Sequence, residues 1–320
     1  MPLLRFIPET TNVNFVKWRY VAFAIDGLLL AVSIVSILFH GFNLGIDFTG
    51  GVLMEVKAAQ VINISKMRSD IISLGFNDPV VQTFGNGECD KPAGSCAMIR
   101  VQPKAAANAT DQNDADQASV RAIKAKLGPA YQYRRTEVVG PTVSGELLND
   151  GILATVLAVA MISIYVAVRF EWQYGIGALV ATGHDVFVTA GFFSVVGLDF
   201  NINTVASLLL LAGYSINDTV VVFDRIRENR RKYKRMSLVD MINLSTNQIA
   251  TRTTLVSAAT ALSVIPLLFG GPVLVNFSVA ILFGIVVGTF SSTYVAAMLL
   301  LYMPAVSGGN TDTKTEEATA

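Results

Sequence analysis

The chain has 320 residues, 52% of them apolar and only 15% charged, with a mean hydropathy of +0.52, the composition of a membrane protein and not of two soluble domains. Lys plus Arg and Asp plus Glu each number 24, so no positive excess is available to hold a nucleic acid, and neither G-x-x-x-x-G-K-[ST] nor G-x-G-x-x-G supplies a nucleotide cradle. Two His and two Cys, set far apart, exclude a structural zinc site, and no cofactor is expected.

Charge placement draws the map. Residues 1–19 form a short N-terminal segment with Arg5, Lys17 and Arg19, and Tyr20 to Phe39 follow as an apolar run broken only by Asp26. At about 1.5 Å per residue that run covers about 30 Å of hydrocarbon, and no small-residue cleavage site follows, so a retained first transmembrane helix is predicted. Residues 40–149 then read as an outer domain. Strand Val52 to Lys57, helix Asn63 to Leu74 and strand Pro79 to Phe84 recur, after a Gly, Cys and Pro-rich loop, as strand Ala97 to Gln102, helix Gln112 to Leu127 and strand Gln132 to Val139. Strand, helix, strand twice over predicts a ferredoxin-like split βαβ unit. Cys89 and Cys96 lie in the loop between the halves, as a disulfide or as two free or buried thiols.

Residues 150–303 carry five more spans. Gly151 to Val168 has no charge, Tyr174 to Val196 is interrupted by His184-Asp185, and Thr204 to Phe223 carries Asp218. No charged residue occurs between Arg252 and Asp312, a stretch too long for one helix, and Gly270-Gly271-Pro272 turns the chain between Ile249 to Phe269 and Val273 to Tyr302. Basic residues before the first span and from Arg225 to Arg235 after the fourth fall on one side, which makes both termini cytoplasmic and the 40–149 domain external. The tail, 304–320, is expected to be disordered.

An ionisable group at mid-bilayer costs about 2.5 to 3.5 kcal/mol, so each one needs protein or water around it. Asp218, about 10 Å inside the cytoplasmic boundary, reads either as a carboxylate that takes up and releases a proton or as a buried interhelical hydrogen bond. His184 and Asp185 lie about 16 Å along their helix and point roughly 100° apart, so at most one shares the face that sees Asp218; interhelical glue is the alternative. Arg252 either reaches Asp218 across the contact of the fourth and fifth helices or snorkels to headgroups. Asp26 is assigned to packing or a water-filled cleft, and Gly284 and Gly288 to close helix approach.

The segments Gly45-Ile46-Asp47-Phe48-Thr49-Gly50-Gly51, Val139 to Ser144, His184-Asp185-Val186, Gly213 to Asn229, Thr251 to Thr254 and Phe269 to Leu274 together resemble the SecD/SecF family of bacterial protein-export membrane proteins, within the resistance-nodulation-division superfamily. The resemblance implies a polytopic α-helical membrane protein: six transmembrane helices plus one periplasmic ferredoxin-like α+β domain between helices 1 and 2. It implies an accessory role in which the proton gradient drives late polypeptide translocation across the inner membrane. The implied partners are SecD, the SecYEG channel, the translocating polypeptide and protons, with inner-membrane subunits such as YajC and YidC as further candidates. Asp218 and Arg252 match residues the family uses for proton conduction, with His184 and Asp185 as further relay candidates. Gly45, Asp47, Thr49, Gly50, Gly51, Gly213, Asn217, Gly270, Gly271 and Pro272 are signature positions with structural roles. Asp26 and the cysteine-bearing loop depart from the family pattern. Three other readings compete: a purely structural partner for SecD, an intramembrane aspartyl protease using Asp185 and Asp218, and a small-molecule exporter.

Overall fold

The computed structural model describes residues 11–76, 78–85, 89, 92–103, 109–270 and 272–304. Arg5, Gly271 and the 305–320 tail therefore lie outside the described residues. Six helices are long and apolar enough to cross a membrane. They are α1 (Arg19–Phe39), led by a 3-10 turn from Val16, α5 (Pro141–Arg169), α6 (Trp172–Val196), α7 (Ile202–Lys232), α8 (Leu238–Val264), with a 3-10 turn to Phe269, and α9 (Pro272–Ser291), extended by a π turn, Ser292–Ala296, and a short helical end at Tyr302.

Three of these helices outrun their apolar segments. Helix α5 opens at Pro141, ten residues before the expected Gly151, because Pro at the first helical position continues directly from the extended Gly140. Helix α7 is started by Asn201, whose side chain accepts from the Thr204 amide at 3.0 Å, and it runs on through its basic end to Lys232. Helix α8 begins at Leu238, capped by Ser237 on the Asp240 amide at 3.1 Å. Hydropathy marks the part of a helix that meets hydrocarbon, and caps mark where the helix ends.

Between α1 and α5 the α+β domain consists of β2 (Gly51–Ala58), α3 (Ile64–Ile72), β3 (Val80–Thr83), β4 (Cys96–Val101), α4 (Ala109–Leu127) and β5 (Tyr131–Val139). The sheet runs β3-β4-β2-β5 with every neighbouring pair antiparallel, the split βαβ arrangement. Alternation supplies its core: Val52, Met54 and Val56 of β2 and Ala97, Ile99 and Val101 of β4 meet Met67 and Ile71 of α3 and Val120 and Ile123 of α4. Cys89 and Cys96 are joined in a disulfide that closes the loop ahead of β4.

Domain and bundle meet at a junction too short to have been read from periodicity. Strand β1 (Asn43–Leu44) pairs in parallel with β6 (Asp199–Phe200), and the one-turn α2 (Ile46–Thr49) fills the space before β2. Phe42, Phe48, Phe193 and Phe200 pack around this junction. Deeper in the bundle, Gly284 of α9 leaves room for the Leu211 side chain of α7, and Gly288 lies against Asp185 and Ser215.

Candidate proton-binding site

Asp218 of α7 is buried, and its two carboxylate oxygens are held from different helices. Thr253 Oγ1 of α8 donates to Oδ1 at 2.9 Å, and Ser292 Oγ at the start of the π turn donates to Oδ2 at 2.6 Å. Asp185 of α6 is fully buried and held in the same manner: Ser215 Oγ of α7 donates to Oδ2 at 2.5 Å and Ser291 Oγ of α9 at 2.7 Å. Consecutive serines on α9 thus serve the two carboxylates, one each, where the helix loosens into a π turn, a distortion that recurs at functional sites. Ser291 Oγ also lies 3.2 Å from the Gly288 carbonyl and Ser292 Oγ 3.0 Å from that of Thr289.

The pair His184-Asp185 divides its faces as adjacent helical residues must. Asp185 turns toward α7 and α9, whereas His184 turns toward α1, with Nδ1 3.1 Å from Asp185 Oδ1 and Nε2 3.6 Å from Asp26 Oδ1. Arg252 makes no ion pair or hydrogen bond with Asp218. Its neighbour Thr253 occupies that face of α8, and Arg252, about 100° round the helix, points into a cavity of about 560 Å³ that it lines with Arg169, Asp224, Arg225, Glu228 and Gln248. The guanidinium acts on Asp218 through space only. Asp185 and Asp218 share no hydrogen bond, so the geometry of a carboxylate dyad around one proton is absent here.

Several other polar contacts hold α7 to α8 along the same seam. Tyr214 Oη donates to Ser257 Oγ at 2.8 Å, Arg225 Nε to Gln248 Oε1 at 2.8 Å, and Asn229 Nδ2 to Ser245 Oγ at 2.9 Å. Gly213 and Asn217 lie one turn apart on an exposed face of α7, with nothing near Gly213 and no hydrogen bond at Asn217 among the described residues. Sequence reasoning gave no individual role to Ser215, Ser291, Ser292 and Thr253, and it assigned Asp26 to packing or a water-filled cleft. The available signals were two adjacent serines in an apolar helix and the one charge within the apolar run Tyr20 to Phe39.

The signature segment after α1 forms the junction with the outer domain. Gly45 N donates to Phe200 O at 2.8 Å, Thr49 Oγ1 donates to Gly45 O at 3.1 Å, and Gly50 and Gly51 take positive φ where the chain turns into β2. Asp47 Oδ2 accepts from the Ile202 amide at 3.0 Å, so a residue of the junction caps the helix that carries Asp218. Gly270 closes the 3-10 turn after α8, donating its amide to Leu267 O at 3.0 Å, and Pro272 opens α9.

Arg100 of β4 ties the sheet to the same corner, donating to Leu44 O and to Asn43 Oδ1, each at 2.9 Å, and standing 3.6 Å from Asp199. Burial pushes the Asp199 carboxyl above its ordinary range, against the opposing pull of Arg100 and the Asn43 amide. A raised value means that the folded chain takes up this proton before the unfolded chain does, so acidification favours the fold while removing the charge that Arg100 meets. The Arg100 latch is therefore expected to be closed at neutral pH and to loosen, without unfolding, as pH falls through the raised value. Spin labels at Gln132→Cys and Asn203→Cys should show a broader distance distribution at the acid end, and Asp199→Asn should show that breadth already at neutral pH. Equal breadth throughout would refute the latch. Beside it, a cavity of about 540 Å³ lies between the open sheet face and the bundle, lined by Glu55, Arg135 and Glu137 among others.

Residues 119–306 match the family described as protein export membrane protein SecD/SecF, C-terminal, and residues 35–60 match the SecD/SecF GG motif. The protein translocase subunit SecF of Cereibacter sphaeroides is 40% identical over 309 residues, covering 96% of this chain and 94% of that protein. SecF of Rickettsia typhi is 38% identical over 298 residues, covering 93% of this chain and 94% of that protein. Among solved structures, SecDF of Thermus thermophilus superposes with a TM-score of 0.80 at 32% identity over 93% of this chain, and SecDF in a super-membrane-facing form with 0.66 at 31% over 94%. The chain spans 39% and 40% of those two SecDF polypeptides, well under half of each.

Proposed function

Because the chain belongs to the SecD/SecF family, as an accessory subunit of the Sec translocase and a multi-pass inner-membrane protein, we propose that it pairs with SecD and uses the proton gradient to drive late polypeptide translocation. It is a transport subunit and not an enzyme. The observation that carries the proton-driven reading is Asp218, buried within a membrane span and held by two hydroxyls with no counter-charge in contact. A carboxylate placed in this way changes its protonation when hydration or a nearby charge changes, and Arg252 is near enough to be that charge.

Pairing with SecD is supported by the exposed polar face. Asn217 and Gly213 are exposed midway along α7, where lipid is a costly neighbour for an amide and a small-residue notch lets a second helix approach. The SecYEG channel and the emerging polypeptide are the further partners in this reading, and YajC and YidC follow only by association with that complex. Co-reconstitution with SecD and the channel tests the function: an imposed proton gradient should hasten completion of translocation, and a complex indifferent to the gradient would refute it.

The proposed orientation places both termini in the cytoplasm and follows from the basic residues after α7. The only two cysteines are bonded to each other, so introduced thiols report without background. Gln132→Cys should react with an impermeant maleimide in intact cells, and Lys234→Cys only after permeabilisation. The reverse pattern would overturn the orientation.

A further inference from the structure

We infer that Asp26 is a second proton-binding carboxylate, joined through His184 to Asp185, so that the bundle has a proton-exchanging centre on the α1 side in addition to Asp218. Asp26 is 5% exposed and His184 7% exposed, and neither Asp26 oxygen nor His184 Nε2 has a hydrogen-bond partner. Unsatisfied polar atoms at that depth are costly, and these three face one another with Nε2 and Oδ1 3.6 Å apart, just outside hydrogen-bonding distance. A small rotation of either side chain closes the gap.

The chemistry balances without any other reactant. A proton on Asp26 passes to Nε2 while Nδ1–H passes its proton to Asp185 Oδ1, 3.1 Å away, leaving Asp26 ionised, Asp185 neutral and the ring in its other tautomer. The groups facing this centre are few. Helix α6 contributes His184 and Asp185, α7 contributes Ser215 and, beyond it, Asp218, and α9 contributes Ser291, while Lys and Arg make no contact with the cluster among the described residues. Since α1 continues directly into β1 and the junction, the charge on Asp26 sits on the helix that leads to the outer domain.

The inference extends the proton-carrying reading, yet its test does not use translocation. The chain has two histidines, so isotope-labelled histidine gives two ring signals, with the exposed His40 as an internal control. In the complete complex in bilayers, Asp26→Asn is expected to move the pH midpoint of His184 by about one unit or more while leaving His40 unmoved. An unmoved His184 would make Asp26 a packing residue and overturn the inference. A second measurement needs no variant: in the wild-type complex the labelled side-chain carboxyl of Asp26 and the His184 ring should report the same pair of macroscopic midpoints, and independent midpoints would overturn the inference as well. Failure of the Asp218 reading appears instead as a retained gradient response in Asp218→Asn, with this titration unchanged.

Discussion

Asp218→Asn is expected to leave the chain inserted and paired while abolishing its response to a proton gradient. Asparagine keeps the size of the side chain, and its carbonyl can still accept from Thr253 or Ser292, so the seam between α7, α8 and the π turn survives. Only titration is lost. One elementary charge crossing 100 mV is worth about 2.3 kcal/mol, which biases a two-state movement about 50-fold, and a variant that carries no proton forfeits that bias. Arg252→Met is expected to weaken the response in the same assay by removing the nearby charge while keeping the aliphatic stem. ATP-driven early translocation by the channel's motor should be nearly unchanged in both. The measurement is the rate of completing a stalled translocation intermediate in vesicles with and without an imposed gradient; a full response in Asp218→Asn would reduce the residue to interhelical glue.

Gly51→Ala is expected to have the largest structural effect of any single methyl added to the junction. Gly51 sits at φ +122°, and a Cβ there would lie 2.5 Å from the Val101 carbonyl oxygen of the neighbouring strand. Backbone in such a region costs about 1–3 kcal/mol for a residue with a side chain, before the clash is counted, and the atom in the way is main chain that cannot swing aside. The sheet must shift at the point where β2 leaves the junction. Loss of roughly 3 kcal/mol from the outer domain is expected on that ground, read as an earlier thermal transition and faster proteolysis of that domain in the assembled protein. Gly183→Ala, with open space at its Cβ position, is the control and should behave as wild type.

The difference between what was legible and what was not is one of range. Six spans and the strand-helix order of the outer domain were readable because each is a local pattern repeated over many residues: the alternation in β2 and β4 puts Val52, Met54, Val56 and Ile99 inside. The candidate site is made by neighbours 30 to 106 positions apart, as in Ser215 with Asp185 and Ser291 with Asp185, and no periodicity records such pairs. Serine is also bland in hydropathy, so Ser291 and Ser292 were hidden in a span that read as apolar. Arg252 and Thr253 illustrate the finest limit. The motif was found, but which of two adjacent residues meets Asp218 depends on helix rotation, which spacing alone does not supply. The β1–β6 pair is two residues long and was beyond any pattern.

Each serine of the α9 pair has two oxygens within reach, the carboxylate across the bundle and a carbonyl of its own helix, at Gly288 for Ser291 and Thr289 for Ser292. A hydroxyl has one hydrogen to give. Facing an ionised Asp185 or Asp218 it gives that hydrogen across; facing a carboxylic acid it turns the hydrogen back to its own backbone and accepts. Rotation about one bond in each serine therefore accommodates either charge state with every helix in place. On the proposed proton-driven reading the interior acts as a capacitor, taking or losing charge at nearly constant shape. Storing a proton and moving the outer domain are then separable events, and force would arise where the stored charge meets something able to move, at the Asp47 cap on α7 and at the exposed face bearing Asn217.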